Sequence, residues 1–87
     1  MTKIYIYCLF DGNDNFYGAY SSLKAIYRDA VRIANQGNSK VYMEFEGNYA
    51  DPSLTKLRNV LKGLCDVKVR YRSDSHTSKI IKTKLKE

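Results

Sequence analysis

The chain opens on an apolar run interleaved with tyrosines. KIYIYCLF, residues 3–10, puts Ile4, Ile6, Cys8 and Phe10 on one face of an extended strand and Tyr5, Tyr7 and Leu9 on the other. Apolar residues on both faces predict an interior strand. DGNDN, residues 11–15, is made of residues that tolerate positive φ or bond their own backbone, so a hairpin turn is expected there. FYGAY, residues 16–20, returns as a second strand, and Gly18 in its middle marks a bulge or a close backbone approach. Ser21 or Ser22 then caps a helix. Leu23, Ile26, Tyr27, Ala30, Ile33 and Ala34 recur at helical spacing, and NQGN at 35–38 ends it, with Gly37 suited to a left-handed position.

KVYMEFE, residues 40–46, alternates cleanly: Val41, Met43 and Phe45 face one way, Tyr42, Glu44 and Glu46 the other. GNYADPS reads as a loop, and Asp51 before Pro52 matches a helix N-cap followed by proline at the first helical position. Leu54, Leu57, Val60, Leu61 and Leu64 form the stripe of a second helix, ended near Gly63 and the Cys65–Asp66 pair. DVKVRYR, residues 66–72, predicts a strand with Val67, Val69 and Tyr71 inward and Lys68, Arg70 and Arg72 outward. SDSHTS is a polar loop. KIIKTKLKE fits a strand through Ile81, Thr83 and Leu85, or a helix through Ile80, Ile81, Lys84 and Leu85, or a segment that orders only on binding.

The expected fold class is therefore α+β: a two-layer sandwich in the order ββαβαβ, with a mixed four-stranded sheet and two helices packed on one face. Residues 1–72 make the domain, and 73–87 a basic loop and tail packed on it, as a fifth strand or a short helix. Eighty-seven residues leave room for one core.

Composition narrows the chemistry. Two cysteines, Cys8 and Cys65, and one histidine, His76, supply neither a disulfide framework nor a metal-ligand set, so two buried free thiols are expected and no metal or cofactor. No apolar run is long enough to span a bilayer, and the start is too polar for a secretory signal, so a cytoplasmic protein is expected. There is no Gly-rich phosphate loop. His76 with Arg70, Tyr71 and Arg72 is a conceivable ribonuclease set, but a solvated loop histidine beside a basic strand is the simpler account, and no enzyme is expected.

Charge does change the picture. The formal net charge is +6, with eight Lys/Arg against six Asp/Glu in residues 1–65 and seven against three in 66–87. Lys24, Arg28 and Arg32 stand four apart and stripe the first helix. Lys68, Arg70 and Arg72 stripe the last strand, and Lys79, Lys82, Lys84 and Lys86 add a basic tail. Basic groups interleaved with tyrosines, Tyr71 among them, suit phosphates and stacked bases, and equally suit a protein–protein patch. A charged stripe opposite an apolar one also describes any helix facing water. Glu44 and Glu46 would neutralise the strand stripe if their strand lies beside it.

The stretch KIYIYCLFDGNDNFYGAYSSLKAIYRDAV resembles the opening of many small phage and mobile-element accessory proteins: strand, polar turn, second strand with a Gly-aromatic step, then a capped helix. The resemblance covers about a third of the chain. It implies a non-enzymatic viral protein of the anti-defence, anti-CRISPR-like kind, an inhibitor that binds a host protein or ribonucleoprotein complex stoichiometrically in the host cytoplasm. Direct, weakly sequence-specific binding of DNA or RNA is the alternative, and a small toxin-type ribonuclease the third.

Overall fold

The structure, a computed structural model, describes residues 5–37, 39–62 and 68–84. Its elements run β1 (Tyr5–Asp11), β2 (Phe16–Tyr20), α1 (Leu23–Ala34), β3 (Tyr42–Phe45), β4 (Asn48–Ala50), α2 (Leu54–Leu61), β5 (Lys68–Arg72) and β6 (Thr77–Lys84). The fold is α+β, as expected. The sheet has six strands rather than four, in the order β2-β1-β6-β5-β3-β4, and every neighbouring pair is antiparallel rather than mixed. The chain lays down one hairpin at each edge, crosses the sheet after each with a helix, and fills the centre with the β5–β6 hairpin. Among the described residues no helix is long and apolar enough to cross a membrane.

Two strands account for the difference from ββαβαβ. β4 lies in the segment expected to be a loop. Glu46 (φ 49°) and Gly47 (φ 80°) turn the chain tightly enough for Asn48, Tyr49 and Ala50 to pair back on β3. β6 is the segment left open between strand, helix and tail, and it is central, hydrogen-bonded to both β1 and β5.

Antiparallel partners share a face, so the registers sort the side chains. Leu9 opposite Ile80, Ile80 opposite Val69, and Tyr71 opposite Met43 point toward the helices. They meet Ile26, Ala30, Ile33 and Ala34 of α1 and Leu57 and Leu61 of α2 in one core. Tyr7, Tyr20, Tyr27, Phe45 and Val60 pack around it. Among the described residues the opposite face carries no second layer. β1 is interior as expected, but Ile6, Cys8 and Phe10 are only half-buried on that open face, so Cys8 is not the buried thiol anticipated.

Local grammar is mostly as expected. Ser22 caps α1, its Oγ accepting from the Ala25 amide at 3.2 Å. The Asp11 carboxylate accepts from the amides of Asn13 and Asn15, both at 2.9 Å, and Asp14 takes φ 63°. The register slips between Leu9 and Phe10, giving the bulge that Gly18 marked.

Three details differ. Ser53, not Asp51, caps α2, accepting from the Lys56 amide at 3.3 Å, and Asp51 lies 3.8 Å from Lys40. Gly37 is not left-handed. The β5–β6 turn comes so close that a Cβ there would lie 2.5 Å from Ser75 Oγ. Glu46 belongs to the β3–β4 turn rather than to the outward face of β3. The expectations for Gly63, Leu64, Cys65, Asp66 and Val67 lie outside the described residues.

Candidate binding face

The face of the six-stranded sheet that no described helix covers is a broad surface built from regular structure. Its occupants follow from register. Across the centre stand Lys68, Arg70 and Arg72 of β5 opposite Ile81, Lys79 and Thr77 of β6. Tyr42 lies opposite Arg72 and Glu44 opposite Arg70, with Tyr49 beyond Glu44 on β4. At the other edge Phe16 of β2 lies opposite Phe10, their rings edge-to-face with centroids 5.7 Å apart.

The electrostatics are set by how many of these cations have acids to hand. β3 is adjacent to β5, so Glu44 does intervene: Arg72 Nε lies 3.1 Å from its Oε1. Lys79 donates to Asp14 Oδ1 at 2.8 Å and sits 5.2 Å from the centroid of the Phe10 ring. That ammonium holds the Asp14 carboxyl below the usual aspartate value, and Arg70 and Lys68 add to it through space. Among the described residues Arg70 and Lys68 have no ion pair or side-chain hydrogen bond of their own. The face thus presents four cations to two acids, and the two without a direct ion pair, Arg70 and Lys68, both stand on β5.

Not every basic residue picked from the pattern belongs to this surface. Lys24, Arg28 and Arg32 are exposed on α1, in the other layer, so the two basic stripes do not merge. Arg32 lies 3.2 Å and Arg28 3.6 Å from Asp29 Oδ1. Arg32 also donates to Tyr17 Oη at 3.3 Å. Lys82 is turned inward and buried; its Nζ donates to the Leu61 carbonyl at 2.6 Å, and it lies 4.5 Å from the Tyr5 ring centroid. Tyr71 is wholly enclosed by the core and offers no surface to a partner. Lys84 ends β6 opposite Tyr5. The expectation for its side chain, and for Lys86, lies outside the described residues.

The ribonuclease set does not assemble. His76 sits in the β5–β6 turn with Nδ1 2.7 Å from Ser75 Oγ, beside Gly37 at the end of α1. It lines a polar cleft of about 260 Å³ with Asp11, Asn13, Gln36 and Thr77. Arg70 and Arg72 point from the opposite face, and Tyr71 lies between the layers. Among the described residues no group of three His, Cys, Asp or Glu side chains is arranged to hold a metal ion.

Three parts of the open face depend on pairings that the sequence pattern does not record. Phe16 has no face assigned by the pattern, because the bulge breaks the alternation of FYGAY. Asp14 was read only as a turn former, and its link to Lys79 spans 65 positions. Lys79 reads from the sequence as part of a basic tail, and its place beside Arg70 follows only from the β5–β6 pairing. Comparison of the chain with protein-family models, with curated proteins and with solved structures finds no match.

Proposed function

We propose that the chain is a non-enzymatic binding protein that docks onto an anionic partner in host nucleic-acid handling through the open face of its sheet. The observation that carries this reading is the pair Arg70 and Lys68, without a direct ion pair among the described residues, on the open face of the sheet and flanked by Arg72, Lys79 and exposed aromatic rings. Like charges held side by side on a strand repel one another, so three outward cations on β5 with one adjacent glutamate favour an anion arriving from outside. Such a protein acts by occupancy. In the setting implied by its resemblance to phage accessory proteins, occupancy inhibits the host complex whose nucleic-acid site or substrate it covers.

The test is a face-by-face charge reversal. Retention of the purified protein on immobilised heparin is expected to weaken steeply with salt. It is expected to survive Lys24→Glu/Arg28→Glu and to collapse with Arg70→Glu/Arg72→Glu. Equal loss from both double variants would reduce the interaction to net charge and remove the open face from consideration.

A further inference from the structure

We infer that the anionic partner is single-stranded nucleic acid, laid across the strands of the open face; this rests on the polyanion reading above and adds the chemical class. Charge alone does not discriminate among polyanions. The arrangement of rings around the charge does.

Phe16 on β2 is 60% exposed, Tyr49 on β4 64% and Tyr42 on β3 43%, so both edges of the face present aromatic surface to solvent. The cations lie between, on β5 and β6. Five interstrand spacings make the face about 24 Å across, comparable with the shortest single-strand sites, of roughly four nucleotides. A strand following the cross-strand row from Tyr49 to Phe16 would pass over Arg70 and Lys79, with Lys68 and Arg72 within reach on either side, while bases at its ends stack on Tyr49 and Phe16.

Other anions use less of this. Paired bases of a duplex are stacked on one another and present no free π-face to a flat sheet. A run of acidic residues alone carries charge but no flat rings, and would leave Phe16 and Tyr49 unused. Stacking tolerates any base, so binding is expected to be weakly sequence-dependent.

The test measures fluorescence anisotropy with an oligothymidylate and an oligouridylate of about a dozen nucleotides, a duplex of the same length, and polyglutamate. Single strands are expected to bind tightest, with a log–log salt slope of about −2 for three phosphates neutralised. Tyr49→Ala and Phe16→Ala are each expected to weaken single-strand binding by about 10-fold at an unchanged slope, and Tyr49→Phe to restore it. These rings are exposed, so an unchanged unfolding midpoint verifies that the variants fold. Equal affinity for the duplex or for polyglutamate would overturn the inference, as would indifference to both ring deletions. If Arg70→Glu/Arg72→Glu still abolished binding in that case, the polyanion reading would stand without it.

Discussion

Tyr71 carries a hydroxyl into the centre of the core, where it has no hydrogen-bond partner among the described residues. Its ring meets Tyr27 edge-to-face at 5.9 Å, and burial pushes its phenol well above the ordinary tyrosine value, with Tyr27 adding to the shift. An unsatisfied buried hydroxyl costs free energy that its ring does not recover. Tyr71→Phe is therefore expected to leave stability unchanged or raise it by about 1 kcal/mol, seen as a higher urea midpoint at constant slope. Asp29 is the opposite case, a buried acid fully engaged. Its Oδ2 accepts from Tyr20 Oη at 2.7 Å, and Arg32 and Arg28 approach Oδ1. The Tyr20 bond does most to hold its carboxyl below the ordinary value, against burial, and the two arginines assist. An acid with a lowered folded pKa stabilises fully above its unfolded value, and that stabilisation fades as pH falls through the folded one. The stability gap between wild type and Tyr20→Phe is thus expected to narrow below about pH 4. Tyr20 itself, raised to about 12 chiefly by burial and then by the Asp29 bond, contributes below its unfolded value and loses that contribution as pH climbs through about 12.

β6 explains why the elements were only partly legible. Its inward positions read Ser78, Ile80, Lys82, and two polar residues out of three disguise a core-facing strand. The physical licence for both lies in the helices above. Ser78 Oγ donates to the Ala30 carbonyl at 2.7 Å, and Lys82 Nζ to that of Leu61, the last residue of α2, whose carbonyl lacks an intrahelical donor. Such partners are 48 and 21 positions away, beyond any window of periodicity. Where side chains alternated or recurred without such exceptions, as in β3, β5 and α1, the pattern sufficed. β4 was illegible for another reason: three residues are too few to show a period. Lys82→Met keeps most of the stem and forfeits the carbonyl bond, for an expected loss of about 1–2 kcal/mol. Lys82→Ala also removes the stem, and is expected to lose more. Chemical denaturation of both variants checks the order.

At the scale of the whole molecule, two properties follow from the sheet order. First, β6 joins β1–β2 to β5–β3–β4, so a chain ending at residue 72 keeps both edge hairpins but lacks the strand that unites them. It is expected to show no cooperative thermal transition and a collapsed amide NMR spectrum. Second, the candidate face was legible as a row of cations but not as a surface. Its rings arrive from β2 and β4, whose places follow from pairings no local pattern records. Glu44, between Arg70 and Arg72, is the acid that most reduces the field there. Glu44→Gln is accordingly expected to tighten polyanion binding several-fold at low salt, with the gain shrinking as salt rises. Anisotropy titrations at two ionic strengths measure it.

The pairing of β1 with β6 also governs how the chain comes into being. YIYCLF within β1 is strongly β-forming, uncharged and free of proline, the composition that self-associates when its edge is open. Its proper neighbour on one side is the last described strand to be synthesised, so that edge stays bare while the intervening residues emerge. Native closure must then form contacts between positions far apart in sequence, which is slow. The lysine-bearing β6 therefore ends a period of exposure as well as completing a sheet, and the yield of folded protein rests on how quickly it arrives.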